Sequence, residues 1–446
     1  MTASRIARVT ALVGVTALLL AGCAAGPETI DESTGSDTSG GSTDAVAASD
    51  LWNSTTVHSV AVSYDDADYE ELIDTYLSTG EKVWISASVT IDGETFDDVG
   101  LKLKGNSSLR SLSTDADATL SSHNPEDLPW IIRLDKYVDG QNLDGTTELV
   151  VRGNSSETSL NEALALDLLE QAGLASEAAI ATRFSVDGSA ETLRLVIENP
   201  SDEWAERELG DVLLYKAEAG GDYSYRGDDA SAYEDVFDQE AGEDDLTPLI
   251  DFLQWINESS DATFAAELGD HLDVDAFATY LAFQELVDNF DDIDGPGNNS
   301  YLSYDPDTGL MTVVNWDLNL AFGASPGGAG GMGQAPGDGG GGRGEQGDQR
   351  REPPAEGDAD AQTAADVGGP GRGGGSNILA ERFLATDRFQ ALYAAELDRL
   401  QEELVDSGDA AAILQAWTET LTEGASDLVP EATIAEESKA LASALA

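Results

Sequence analysis

The chain has 446 residues, 86 acidic and 22 basic, for a formal net charge of −64 at pH 7. A field of that sign repels nucleic acid and anionic membrane surfaces, and suits a solubilising surface or the attraction of cations and basic substrates. Apolar residues make up 41% of the chain, enough for a large core, and the single cysteine excludes a disulfide within one chain.

In chain order, Arg5 and Arg8 precede an apolar run from Val9 to Leu20, followed by Ala21, Gly22 and Cys23. A charged start, a short apolar stretch and small residues before a cut describe a secretory signal over residues 1–22, too short for a spanning helix. Cys23 at the cut matches the bacterial lipoprotein pattern. It predicts export and a lipid anchor on the outer face of the cell membrane. Residues 23–50, rich in Gly, Ser, Thr and Asp, read as a disordered tether.

Alternation then predicts strands in VHSVAVSY (57–64), VWISASVTI (83–91), VGLKLKG (99–105), WIIRLD (130–135) and TELVVRG (147–153), with one helix near 68–76. TSLNEALALDLLEQAGL (158–174) predicts a helix with a capping box, Ser159 to Glu162, and Gly173 at its end. Two strands follow near Ala181 and Leu195. From Ala230 onward helices dominate, including 273–290 with Asp273 as N-cap. Asp305-Pro306-Asp307-Thr308-Gly309 has the chemistry of a hairpin turn. Residues 324–376 are Gly-rich and read as a disordered insertion, and 377–446 carry apolar residues at helical spacing for three helices. The order is that of an α+β protein, β-rich first and helical second.

The stretch from Asp288 to Gly323 carries the chemistry. Phosphoryl transfer needs a carboxylate to receive a hydroxyl proton, an Asn to hold a metal, and a second carboxylate on a separate segment to hold it from the other side. Asp291 or Asp294, then Asn299, then Asp317 supply these types in that order. Asp317 lies inside an apolar run, VVNWDLNLAF, where an Asp is uncommon unless it is paired or binds a metal. An EF-hand fails, because its first and last ligands would be Phe290 and Tyr301. No Walker A motif is present, and His58, His123 and His271 lie in unrelated contexts. Two cations stand inside apolar strands: Lys104, beside Gly105-Asn106-Ser107-Ser108, and Lys216, in LLYKAE. Both are phosphate-site candidates.

These residues resemble the CotH family, the spore-coat protein H atypical protein kinases. Its N-x-D segment, HNYYLYxDPDTG pattern and WDLDLAFG element correspond to Asn289-Phe290-Asp291, NNSYLSYDPDTG and WDLNLAFG here, with Asn298 for the usual His and Asn319 for the second Asp. VGLKLKGNSS resembles its GIRLKGNSS element. The 158–174 helix resembles LREKLAYELLRELGL, with Asn161 where Arg is common. LRLVIEN resembles LYLLTEQ, and LLYKAE resembles GNLYKGE.

The resemblance, which covers most of 51–446, implies a two-lobed atypical-kinase-like fold, β-rich N-terminal lobe and helical C-terminal lobe. It implies ATP with Mg2+ or Mn2+, and a protein partner bearing the Ser or Thr acceptor. The N-x-D context favours Asp291 as base. Asp294 is the rival, because it precedes Asn299 by the spacing of the protein-kinase catalytic loop. Asn299 and Asp317 are the expected metal ligands. Glu198, by its place in the EQ-like element, pairs with Lys104 or Lys216 or approaches the nucleotide. Glu162 can fill the helix-borne ion-pair role, although the capping box already accounts for it. The competing class is an inactive pseudokinase or adhesin-like surface protein.

Overall fold

A computed structural model describes residues 51–218, 222–295, 298–324 and 377–446. The expected signal (1–22), Cys23, the tether (23–50) and residues 325–376 of the insertion lie outside the described residues.

The first half closes a barrel. Its strands are β1 (His58–Tyr64), β2 (Ile85–Ile91) and β3 (Glu94–Leu103), then, after the short parallel pair β4 (Leu112–Ser113) and β5 (Leu120–Ser121), β6 (Trp130–Arg133), β7 (Glu148–Val151), β8 (Ala179–Val186) and β9 (Thr192–Glu198). The order around the barrel is β1-β2-β3-β6-β7-β9-β8. Every ladder is antiparallel except β1 with β8, which closes the circle with Val60 opposite Phe184. The apolar alternation seen in the sequence fills the interior: Val60, Val62, Val89, Val99, Leu101, Leu103, Ile132, Leu149, Val151, Phe184 and Val196 are buried in one cluster. Helix α1 (Asp66–Thr79) lies between β1 and β2, capped by the Asp65 carboxylate, which accepts from the Ala67 N–H at 2.9 Å. All five strands expected before residue 153 are present.

Helix α2 (Leu160–Gln171) joins β7 to β8 and is buried on nearly every face. Leu164, Leu168 and Leu169 share a cluster with Leu414, Trp417 and Leu421 of a later helix, so the absence of an amphipathic stripe follows from coverage on both sides. Gly173 ends it at φ 83°, as expected. The capping box is not formed. Ser159 sits at φ 53° and its side chain makes no cap bond.

Helix α3 (Asp202–Glu208) leads to a second sheet of four strands, β10 (Leu213–Ala217), β11 (Phe237–Ala241), β12 (Ser300–Asp305) and β13 (Leu310–Asn315), in the order β11-β10-β12-β13. The helices α4 (Thr247–Glu258), α5 (Asp261–Glu267) and α6 (Val274–Leu286) intervene. Asp273 caps α6, accepting from the Ala276 N–H at 3.0 Å, and the hairpin turn at 305–309 is formed with Gly309 at φ 75°. The strand β11, in a region expected to be helical, is a correction. Its sequence, FDQEA, is too polar to announce a strand, and pairing with β10 decides it.

The tail holds four helices rather than three: α7 (Ile378–Leu384), α8 (Asp387–Leu400), α9 (Asp409–Ala425) and α10 (Glu431–Ala444). Thr386 breaks the first apolar run, N-capping α8 by position. The architecture is mixed α+β, with a β-rich first part and helices in the majority thereafter. Among the described residues no helix is long and apolar enough to cross a membrane.

Candidate active site

The hairpin β12–β13 explains why two distant polar residues meet. Ser300 pairs with Asn315 at its open end. Asn299, one residue before the first, and Asp317, two residues after the second, are therefore presented together at the mouth. A third segment arrives from the end of α6. It is fixed by a buried amide chain in which Asn289 Nδ2 donates to Gln284 Oε1 at 2.8 Å and Gln284 Nε2 donates to Asn315 Oδ1 at 2.7 Å. The Asn of the N-x-D segment is thus a strut between helix and hairpin. The Asp two residues on is brought to the mouth.

There Asn299 Nδ2 donates to the Asp291 carboxylate at 3.0 Å and to the Asp291 carbonyl at 2.9 Å. The Asp291 carboxyl is raised above its ordinary value by burial and by the charge of Asp317, against the Asn299 hydrogen bond. That coupling puts Asp291 and Asp317 within electrostatic reach of each other. Asp317 stands at φ 66°, a left-handed conformation that costs a non-glycine residue about 1–3 kcal/mol and collects at functional sites. Asn299 spends its amide nitrogen on Asp291, and its Oδ1 is the atom of the side chain that could serve a metal as an oxygen ligand.

Asp294 is placed elsewhere. It acts electrostatically on Asp292, Tyr280 and Tyr393. Asp292 accepts from the Gly295 N–H at 2.9 Å, and burial, then Asp294, push its carboxyl up to about 7. The structure brings Asp291, Asn299 and Asp317 together, and Asp294 acts on Asp292.

The facing wall belongs to the barrel. Lys104, just past the end of β3, donates to Asn199 Oδ1 at 2.8 Å and lies 5.1 Å from the Trp316 ring centroid. Burial, then Lys216, pushes its pKa down to about 7. Lys216 is matched instead by two carboxylates, Glu218 at 3.2 Å and Glu240 at 3.6 Å, and they raise its pKa against the effect of burial. Glu198 pairs with neither lysine. Its Oε2 accepts from the Ala178 N–H at 2.9 Å and from Arg207 Nη2 at 2.8 Å. The lysine partner comes from the next residue, Asn199, because neighbours along an extended chain point to opposite sides.

Three residues missed in the sequence form or support the wall. Arg152, 8% exposed at the end of β7, donates through Nε to Glu162 Oε2 at 3.0 Å, and its Nη2 bonds Asp317 Oδ1. Glu162 is therefore an ion-pair residue and not a cap. Burial raises its carboxyl, and the Arg152 charge opposes that. For Arg152 itself burial works against the charge, but Asp317 and Glu162 outweigh it and hold the guanidinium fully protonated. The signal that selected Lys104, a cation in an apolar strand, also applies to Arg152 in TELVVRG. Lys82 donates to the Gly105 carbonyl and to Asn106 Oδ1, both at 2.8 Å, and so anchors the turn after Lys104. Gly105 is required there, at φ 95° with no room for a Cβ against Ser108. The third is Glu437 of α10. It accepts from Ser156 Oγ at 2.9 Å and from the N–H groups of Glu157 and Thr158 at 3.0 and 3.2 Å. It fixes the loop that leads into α2, where Ser156 Oγ accepts from the Ser159 N–H at 3.0 Å, the N–H that Glu162 would have served in a capping box.

The donor atoms suit a hard divalent cation. They are oxygens only, one carboxylate and one amide, on two segments. Among the described residues no three His, Cys, Asp or Glu side chains group as a metal cage. An ion held by two protein ligands would take its remaining partners from phosphate and water, as magnesium usually does.

Barrel, hairpin and helices define a mixed α+β protein with one polar mouth, faced by carboxylates on one side and cations on the other. The model of the CotH kinase protein family matches residues 101–430, and this chain belongs to that family. It is similar to the inner spore coat protein H of Bacillus subtilis (strain 168), 27% identical over 187 residues, which are 40% of this chain and 51% of that protein. The chain thus spans about half the length of this curated relative.

Proposed function

We propose that the protein is an atypical protein kinase, two-lobed about this mouth, that moves the γ-phosphate of ATP to a Ser or Thr hydroxyl of an exported or surface protein. The observation that carries the reading is the convergence of Asp291, Asn299 and Asp317 from three segments. The Asp291 carboxylate accepts the proton of the acceptor hydroxyl. The hydroxyl oxygen bonds to the γ-phosphorus as its bond to the β–γ bridging oxygen breaks, and ADP leaves with that electron pair. A carboxyl raised by burial is a stronger base than a free one, which suits this task near neutral pH. Asn299 keeps Asp291 oriented, and Lys104 and Lys216 lie where phosphate charge would face the barrel. Magnesium or manganese, held by Asn299 Oδ1 and Asp317, would neutralise charge developing on the phosphates. Cys23, as a lipid-bearing first residue, would place the enzyme on the outer face of the cell membrane.

The test is incubation of the purified protein with γ-labelled ATP, Mg2+ or Mn2+, and a generic acceptor. Label on acceptor or on the chain itself, lost in Asp291→Asn, supports the kinase. Metal-dependent ATP binding with no transfer to any acceptor favours the second reading, a pseudokinase. Two observations motivate that alternative: Asn319 stands in place of the second Asp, and Arg152 already neutralises Asp317.

A further inference from the structure

In a chain with 86 acidic residues, a half-buried cation without a carboxylate partner is unexpected. Lys104 is one. Its hydrogen bond goes to the neutral Asn199 amide, and burial, Lys216 and Arg152 depress its pKa against the more distant pull of Glu240 and Glu148, neither of which forms an ion pair with it. Arg152 is the second cation at the same place. Both lie against the Trp316 ring, at 5.1 and 5.9 Å from its centroid. Glu162 holds Arg152 from behind through Nε and Nη2, and Nη2 also reaches Asp317. Its Nη1 forms no hydrogen bond among the described residues. Lys82, also bonded only to neutral oxygens, fixes the adjoining turn at Gly105 and Asn106. Two positive groups packed against the same ring, one acting electrostatically on the other, repel each other, and an anion of more than one charge relieves both at once.

We propose that Lys104 Nζ and the Nη1 edge of Arg152 form a grip for a chain of two or more phosphates, and that the grip works without a metal ion. Arg152 is then a binding residue for phosphate as well as the clamp on Asp317. Asp317 competes with phosphate for the guanidinium until it turns to another cation. The inference rests on the kinase reading for its biological ligand, a nucleoside triphosphate. An inorganic polyphosphate offers the same chemistry.

Tripolyphosphate and ATP are the two probes, titrated calorimetrically into the full chain in chelator at low ionic strength, and ATP again with Mg2+. Wild type should bind tripolyphosphate. Lys104→Gln should weaken that binding by about tenfold or more, the loss of a charge-assisted hydrogen bond. Arg152→Lys, which keeps charge but not the fork that holds Glu162, should weaken it similarly. Asp317→Asn should tighten it, because the competing carboxylate is gone. Arg152 variants that fold poorly leave Lys104→Gln and Asp317→Asn to decide. Wild type indifferent to tripolyphosphate, or a folded Lys104→Gln that binds it as wild type does, overturns the grip. Wild type that binds tripolyphosphate but no ATP, with or without Mg2+, supports the grip and refutes the kinase reading. Magnesium–ATP binding untouched by Lys104→Gln overturns the grip and leaves the kinase reading standing.

Discussion

Arg152 and Asp317 are 165 residues apart in sequence, and the guanidinium Nη2 of one donates to the carboxylate Oδ1 of the other. This bond joins the barrel to the hairpin mouth, and Glu162 on α2 shares the same guanidinium. Removing Arg152 leaves the buried Glu162 without its partner, a loss of about 3–5 kcal/mol for a fully buried pair, whereas removing either carboxylate leaves the guanidinium the other one. Asp317 is about a quarter exposed, so its substitution should cost less than that of Glu162.

The first prediction separates base from metal ligand. Asp291→Asn is expected to retain magnesium–ATP binding and to lose transfer by about 10²-fold or more. Asp317→Asn should lose metal-dependent ATP binding and transfer together. Asp294→Asn, at a carboxylate that acts on Asp292, Tyr280 and Tyr393, should keep transfer within a few-fold of wild type. Calorimetry and a labelled-phosphate assay on the same preparations read both quantities. If Asp294→Asn separates binding from turnover and Asp291→Asn does not, the base has been misassigned.

Glu437 offers a test far from the chemistry. Its carboxylate gathers the N–H groups of Glu157 and Thr158 and the hydroxyl of Ser156, in the loop that connects Arg152 to α2. Glu437→Ala should destabilise the fold by roughly 1.5–3 kcal/mol, the range for hydrogen bonds to a charged group. Chemical denaturation measures it. Glu437→Gln should recover part of the loss, and equal effects of both variants would show that side-chain volume matters there more than charge.

Much of this was legible in the sequence. Period-two alternation located the barrel strands, because Val, Ile and Leu face inward at every second position. Turn chemistry located Gly173, Asp273 and the 305–309 hairpin. Asp317 stood out because an Asp in an apolar run needs a reason, and Asp291 or Asp294 and Asn299 because their types and order are those of a phosphoryl-transfer site. What escaped was set by partners far away in the chain. Ser159 and Glu162 have the spacing of a capping box, but Glu437 of α10 fixes the preceding loop and Arg152 draws Glu162 inward. Glu198, the last residue of β9, and Asn199, just past it, were distinguishable only by which side of the extended chain each occupies. The strand β11 depends on its neighbour β10 and not on its own residues.

A pH dependence follows from Glu177, 3% exposed, both of whose oxygens lack a hydrogen-bond partner among the described residues. Burial, with Glu162 and Glu198 adding to it, raises its carboxyl from 4.5 to about 8. Between those values the folded chain keeps a proton that the unfolded chain releases, so stability is greatest below about pH 4.5 and declines as pH rises to about 8. Asp292 and Asp167, raised to about 7 and about 6, act in the same direction. Glu177→Gln should therefore flatten, without abolishing, the fall in melting temperature from pH 5 to pH 8. A slope identical to wild type would mean that Glu177 is ionised in the folded state.

The anchor is tested by fractionation. Wild type should partition with membranes and carry lipid at Cys23. Cys23→Ser should be released or left unprocessed. Soluble wild type with residues 1–22 still attached would end the lipoprotein reading.

The parallel ladder between β1 and β8, with His58 opposite Thr182, has a consequence for the order of assembly. The first strand cannot find its second neighbour until most of the other barrel strands and the whole of α2 have been made, so the barrel closes over a long loop of chain. Contacts of such high sequence separation slow folding, because the entropy of the loop is lost before the ladder is gained. Glu162 lies inside that loop, and Arg152 too. Asp317 is made later still, so the guanidinium gains the second of its two carboxylates only after the last barrel strand has been made.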